Sequence, residues 1–371
     1  MLVRSCVYDA ECRRGGEVVT DKRLTASVVG GGMGGKLSLN ALVASGRYEL
    51  LGAADLREDV RQDLAQRYPG ISVYASYQEM LAVCPTDVVC VSTWPPSHRE
   101  IVLAALEREV VGLLCEKPLG DTAASGRDIL MAIKAQDLPV VVPHGLLQTR
   151  HGQEILSRVH AGEIGDLELV EVECNRWDII NAGIHWLNFF VNLVPGDPMD
   201  WVMALAEAST RTYRDGMEVE TTAITYVQTR SGVRCVMHTG DQVSVRRPGK
   251  DFLFRLMGTR GQIEFYAWES AYALQNSAHP LGQLFQVERW SQAAHQRYLE
   301  SLADQIESGR RDYAIPDSSL AALELCEGAY LSSAYRCKVT LPLSEFVIPP
   351  EPDWRPGQPY RGYGGRDGRK L

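Results

Sequence analysis

Leu24-Thr25-Ala26-Ser27-Val28-Val29-Gly30-Gly31-Gly32-Met33-Gly34-Gly35 is the stretch on which the reading of this chain turns. An apolar run of strand length enters a Gly-x-Gly-x-x-Gly spacing at Gly30, Gly32 and Gly35, and a helical pattern follows over 33–45. Each glycine has its own task. Gly30 permits the tight turn, Gly32 lets the backbone approach a pyrophosphate, and Gly35 allows the helix to pack closely on the strand. The helix N-terminus then offers free N–H groups and a partial positive charge to phosphates. A glycine turn without a ligand is the bland alternative, and the strand before it and helix after it weigh against that. Asp55 closes the next apolar run, 20 residues past Gly35, where an acid bonds ribose hydroxyls. A carboxylate there repels a 2′-phosphate, so NAD is favoured. Arg57 beside it is able to accept such a phosphate, so NADP stays open.

Outward from the turn, strand candidates recur at Leu24–Gly30, Leu50–Ala54, Ser72–Tyr74, Asp87–Ser92, Val110–Cys115 and Pro139–Pro143. Helical patterns lie between them near 33–45, 57–68, 76–82, 97–107 and 122–136. Continuous apolar runs such as Val88-Val89-Cys90-Val91 imply strands buried on both faces. Strands alternating with helices imply right-handed βαβ units and a doubly wound parallel sheet. We therefore expect a Rossmann domain over 24–145. Residues 146–348 read as an α+β domain. A helix near 149–161 precedes a long strand at Leu167–Cys174, then strands near 200–210, 220–230, 233–240, 251–257 and 262–267, and late helices near 293–308 and 316–336. Strands in succession predict an open, mostly antiparallel sheet. Residues 1–23 form an extension, and 349–371 a tail rich in proline and glycine that buries little.

Composition sets the outer bounds. A 371-residue chain with 45% hydrophobic and 23% charged residues is that of a folded, two-domain protein. A formal net charge of −9 repels a phosphate backbone, so nucleic acid is not an expected partner. No apolar run reaches the ~18 residues of a membrane helix, and Arg13-Arg14 is followed by Gly15-Gly16-Glu17 rather than an apolar signal. The nine cysteines lack CxxC spacing, which signals neither zinc nor a redox dithiol; no metal is expected. Unpaired thiols fit a reducing cytoplasm, and Cys90 and Cys115 read as small core hydrophobes.

The expected site lies beyond the carboxyl ends of the parallel strands, where Gly30, Asp55, Thr93 and Lys117 all fall. Cys115-Glu116-Lys117-Pro118 closes the fifth strand, and Ser92-Thr93-Trp94-Pro95-Pro96-Ser97-His98 the fourth. Gly162-Glu163-Ile164-Gly165-Asp166-Leu167 precedes the long strand, and Gly258-Thr259-Arg260-Gly261-Gln262-Ile263-Glu264 follows later. In this order, over residues 24 to about 340, the chain resembles the glucose–fructose oxidoreductase / inositol dehydrogenase / MocA family. The resemblance implies a cis bond at Lys117-Pro118. It also implies a cofactor contact surface of Gly30, Gly32, Met33, Gly35, Asp55, Arg57, Thr93, Trp94, Pro95, His98, Glu116 and Lys117, and assembly as a homodimer or homotetramer through the open sheet.

Physical chemistry supplies the roles. An ammonium at Lys117 stabilises developing alkoxide charge, and an imidazole suits removal of a hydroxyl proton. Asn181-Ala182-Gly183-Ile184-His185 is similar to the family's Asp-x-Gly-x-His element. Positions 181 and 185 share a face if helix runs through both. The departure is Asn181, which cannot stabilise an imidazolium as a carboxylate does. It is expected to contact His185 or substrate, with Asp178 as the source of the missing charge. Lys117, His185 and Asn181 are thus the catalytic candidates, and Arg150, Trp177 and Asp178 the substrate candidates. Ordinary surface or core roles stand beside each: a surface lysine, a core histidine, a helix cap, a surface ion pair, a packed tryptophan. His98 reads equally as a contact near the nicotinamide or a helix-start residue, and His144 falls beside the cleft. The expected function is hydride transfer between NAD(P) and a hydroxyl of a sugar, polyol or sugar acid. A glycosidase or isomerase using NAD without net redox change, or a non-catalytic dinucleotide-binding regulator, are the rivals.

Overall fold

The computed structural model of the protein describes residues 23–350 except positions 208, 210, 211, 246 and 349. The extension over 1–23 and the tail over 349–371 lie outside the described residues except at their inner ends. The first half alternates strand and helix: β1 Leu24–Val29, α1 Met33–Ser45, β2 Tyr48–Ala54, α2 Glu58–Arg67, β3 Ser72–Tyr74, α3 Tyr77–Val83, β4 Val88–Val91, α4 Pro95–Leu106, β5 Gly112–Cys115, α5 Ala123–Ala135 and β6 Val140–Val141. All pairings are parallel, in the order β3-β2-β1-β4-β5-β6. That is the doubly wound order, with its switch point between β1 and β4. Every residue of β4 is fully buried, as its unbroken apolar run requires. Local signals start the helices. The hydroxyl of Ser76 caps α3, Thr122 and Ser125 cap α5 reciprocally, and Pro95 opens α4.

The second half comprises α6 Arg150–His160, β7 Leu167–Asn175, a π-helical turn Ile179–Gly183, α7 Ile184–Leu193, β8 Met199–Glu207, β9 Thr212–Arg214, β10 Met217–Val219, β11 Thr222–Thr229, β12 Arg234–Gly240, β13 Phe252–Gly258, β14 Gly261–Tyr266, β15 Ala271–Asn276, β16 Gln283–Gln286, α8 Ala294–Ser308, α9 Ala314–Tyr335 and β17 Val339–Thr340. Nine of these strands form one sheet, β16-β15-β14-β13-β7-β12-β11-β8-β17. It is antiparallel except at β7–β12, so it is mixed rather than purely antiparallel. β15, β16 and β17 and the β9–β10 hairpin escape the sequence reading. β9, β10, β16 and β17 are short, and β16 is largely exposed, so burial leaves little hydrophobic period to find; β15, with Tyr272 and Leu274 buried in alternation, carries a period that the reading misses.

The late helices do not stay with the second sheet. Tyr298, Leu299, Leu302 and Ala303 of α8 bury against Ala26, Val28, Leu39 and Leu42 of the first half. The Tyr48 hydroxyl donates to the Leu299 carbonyl at 2.6 Å. Helix α8 thus covers one face of the parallel sheet, although a boundary near 145 assigns it to the other lobe. Helix α9 packs on both α5 and α7, clamping the two halves together. On the second sheet, α9 packs against β8, while Met203, Leu205 and Ile224 on the opposite side of β8 and β11 stay exposed.

Candidate active site

The glycine turn has the geometry its spacing implies. Gly30 has φ +95°, and a Cβ there would stand 2.5 Å from the Ser92 carbonyl oxygen. A Cβ on Gly35 would stand 1.9 Å from the Gly30 carbonyl oxygen, so helix and strand meet only because both are glycine. Gly32 differs: a Cβ would meet nothing within 4 Å. Its open side leaves room for a pyrophosphate, at the N-terminus of a helix that no side chain caps. Met33 is exposed on the rim. Asp55 reaches back to this turn, accepting the Gly31 N–H at 2.7 Å and the Arg57 N–H at 2.8 Å. The Arg57 guanidinium is turned to Asp59 instead. An acid at the turn and an arginine occupied elsewhere suit an unphosphorylated ribose. These residues fit NAD.

Beyond β4, Thr93 and the exposed Trp94 lead into Pro95. His98 is fully buried, with Nδ1 at 2.9 Å from the Pro118 carbonyl and Nε2 at 2.9 Å from the Thr93 carbonyl. Burial pushes its pKa down. Both ring nitrogens face backbone carbonyls, and the neutral ring donates its single N–H to one of them. His98 pins the β4 turn to the β5 turn. The Lys117-Pro118 bond is cis. Glu116 is buried against Gly34 of the glycine helix, and its carboxylate meets His295 Nε2 at 2.6 Å. Burial raises the Glu116 pKa, but His295, Lys117 and His98 outweigh it and hold the carboxyl below its usual range. His295 comes from α8, 179 positions away in the chain, and no local pattern announces it.

Lys117 Nζ donates to the Asn181 carbonyl at 2.9 Å. Burial pushes the ammonium down, while Glu116, Asp215 and Asp178 pull it back up. Asn181 itself is redirected. Its backbone N–H and Nδ2 both donate to Asp178 Oδ1, at 2.8 and 2.9 Å. The π-helical turn is the cause. The Gly183 N–H reaches back five residues to the Asp178 carbonyl, so the i, i+4 alignment of 181 with 185 is lost. Asn181 therefore meets Lys117 through its carbonyl, and its amide donates to Asp178.

Asp178 is buried, and its other oxygen pairs with Arg214 at 2.8 Å. Arg214 in turn lies 4.3 Å from the ring centre of Trp177. The expected substrate contacts Asp178 and Trp177 are thus bound up with the β9–β10 hairpin. That hairpin crosses the cleft, where Gly216 sits against the Trp94 ring. Glu220 fixes the start of the π turn, accepting the Ile179 N–H at 2.7 Å.

His185 stands at the other end of that turn, with Nδ1 buried and unpartnered. Its ring lies 5.2 Å from the His144 ring, edge to face. Burial, then Lys117, His144 and His295, hold its pKa well below the ordinary value, so it stands neutral. His144 bonds Ser319 at 2.9 Å through Nε2 and leaves Nδ1 unpartnered. Burial and Lys117 push it down to about 3. Lys117, Glu116, His144, His185 and His295 thus form one cluster beneath the glycine turn. Arg150 lies outside it, in a neighbouring cleft, paired weakly with Glu288 at 3.4 Å. Among the described residues no group of three or more His, Cys, Asp or Glu is placed to hold a metal ion. No described helix is long and apolar enough to cross a membrane, and the seven described cysteines are free.

Comparison with known proteins agrees with this geometry. Residues 24–144 match the GFO_IDH_MocA model, an oxidoreductase family with an NAD-binding Rossmann fold. An uncharacterized oxidoreductase of Bacillus subtilis, YfiI, is 30% identical over 171 residues, 43% of each chain. An inositol 2-dehydrogenase of Acidiphilium cryptum is 29% identical over 187 residues, 48% of this chain and 54% of that one. The chain thus spans about half the length of these curated relatives. A solved levoglucosan dehydrogenase in complex with NADH and levoglucosan superposes with TM-score 0.74 at 16% identity, over 86% of this chain and all of the other. Through residues 24–144 the chain is thus similar to the NAD-binding oxidoreductase family of glucose–fructose oxidoreductase, inositol dehydrogenase and MocA.

Proposed function

We propose that this protein is an NAD-dependent dehydrogenase that oxidises a secondary hydroxyl of a sugar, polyol or sugar acid. One observation carries the reading: an ammonium, Lys117, and a neutral imidazole, His185, meet in one buried cluster below a glycine turn built for a dinucleotide. NAD, when bound, supplies the hydride acceptor. Lys117 is anchored on the Asn181 carbonyl, and its remaining N–H donors orient the substrate hydroxyl and stabilise oxygen charge as the proton departs. His185 takes that proton, being neutral. The C–H electron pair leaves as hydride, and the carbon becomes a carbonyl. His98 and Glu116 act by position, holding the two turns and the lysine segment. The unpaired thiols suit a reducing compartment such as the cytoplasm.

The rival without net redox change draws on Asn181 standing where the family has an acid, and here an acid, Asp178, lies within hydrogen-bond reach of that amide. The test is a panel of neutral sugars, polyols and sugar acids with NAD and NADP, followed by NADH or NADPH absorbance. NADH accumulation is expected, and Lys117→Met and His185→Ala should each lower kcat/KM by about a hundredfold or more. Substrate turnover without accumulation of reduced cofactor, or unaltered rates in both variants, overturns the proposal.

A further inference from the structure

Beside the catalytic cluster lies a second cleft of about 240 Å3, whose wall includes Arg150, Arg289, Trp268, Trp290 and Gln148. Its charge runs against that of the molecule. The chain carries a net −9, yet two arginines line this cleft and a third stands behind it. The Arg150 and Arg297 guanidinium groups lie 5.1 and 4.2 Å from the Trp290 ring centre. Arg289 donates to the Trp268 carbonyl at 3.0 Å and to Ser270, which fixes its fork at the cleft wall. Gln148 accepts from Arg297 at 3.1 Å. The acid in the cleft wall, Glu288, is 85% exposed and meets Arg150 at a loose 3.4 Å. Such a pair contributes little and yields to a better-placed anion. Arginines held in place by aromatic faces and backbone carbonyls keep their forks organised for oxyanions.

The cleft touches the reaction centre on two sides. The Trp268 ring lies 5.6 Å from that of Trp186, the residue after His185, and packs where Gly145 follows His144. Ala294 lines the cleft, and the next residue, His295, holds Glu116. The chain neighbours of His185, His144 and His295 thus line or back this cleft.

We propose that this cleft is an anion subsite, in which Arg150 and Arg289 grip a carboxylate or phosphate on the far end of the substrate while Trp268 and Trp290 face its carbon skeleton. The substrate class is accordingly an acidic or phosphorylated sugar or polyol rather than a neutral one. This rests on the dehydrogenase reading of the Lys117–His185 site, so the test separates the two. NAD-loaded protein is titrated calorimetrically with matched neutral, carboxylate and phosphate forms of hexoses and inositols, and NADH formation is measured on the same panel. One anionic series should bind at least about tenfold more tightly than its neutral counterpart. Which series does so decides between carboxylate and phosphate. The preference should vanish in Arg150→Gln/Arg289→Gln and persist in part in Arg289→Lys, which keeps the charge; thermal melts check that each variant folds. Equal binding of neutral and anionic forms, or a preference that survives in the double glutamine variant, overturns the subsite. NADH formation without anion preference leaves the dehydrogenase reading intact and removes this one. Anion preference without NADH formation does the reverse.

Discussion

Asn181 illustrates how one residue is set by its partners. The family pattern places an acid at this position, and in this chain an acid stands three residues earlier, at Asp178. Both side chains are buried, and Asp178 Oδ1 takes both donors of Asn181. Restoring the acid with Asn181→Asp replaces a donated bond by two facing carboxylates, and should cost about 2–3 kcal/mol of stability in urea unfolding. No loss would show that Asp178 does not depend on that donor. The neutral histidines make a second residue-level prediction. His144 is held near 3 by burial, so the folded protein refuses a proton that the unfolded chain accepts below its ordinary value of 6.5. Stability is therefore intact above that value and falls as pH drops, by roughly 2 kcal/mol at pH 5 from this residue alone. His98 and His185 act in the same direction. Unfolding at pH 7 and pH 5 measures the drop, and His144→Gln should shrink it.

At the scale of elements, the glycine turn separates fold from function. Gly35→Ala drives a methyl group into the Gly30 carbonyl, so the β1–α1 unit must open and both stability and NAD affinity should fall. Gly32→Ala meets no protein atom, so its melting temperature should change by no more than about 2 °C. NAD affinity should nevertheless drop about tenfold or more, because the methyl group stands where the pyrophosphate approaches. Calorimetry and thermal melts on the two variants check this contrast; equal NAD affinity in wild type and Gly32→Ala would move the phosphate site elsewhere. Among the helices and strands, those with strong local signals were legible. Fully buried β4 and hydroxyl-capped α3 and α5 declare themselves in sequence. The π-helical turn and the β9–β10 hairpin do not, because their shape is imposed by Glu220, Asp178 and Arg214 from other segments.

At the scale of the molecule, the bare face of the nine-stranded sheet is the feature to explain. Leu205 and Ile224 pair across β8 and β11 and stand 72% and 50% exposed, with Met203 beside them and Trp201 stacked on Tyr226. An apolar face of this kind costs free energy in water unless another surface covers it. Self-association through it, as a dimer or tetramer, is the expected outcome in sedimentation, and Leu205→Asp should yield monomers. Unchanged assembly in that variant would place the contact on another face.

Read alone, the amino-acid order determined the parallel half, its glycine turn, the acid at Asp55 and the lysine at the end of β5. Strand period, helix caps and glycine spacing act over a few residues, and each is visible where it acts. The tertiary structure decided the rest: that α8 crosses back to cover the first sheet, that His295 meets Glu116, that Asn181 turns to Asp178, and that His98 is buried between two backbone carbonyls. His98 to Pro118 spans 20 positions, Glu116 to His295 179 and Tyr48 to Leu299 251, while the short Asn181 to Asp178 pairing follows a turn that Glu220 fixes from another segment. Local periodicity says which face of an element is buried, but only the packing of the whole chain says against what.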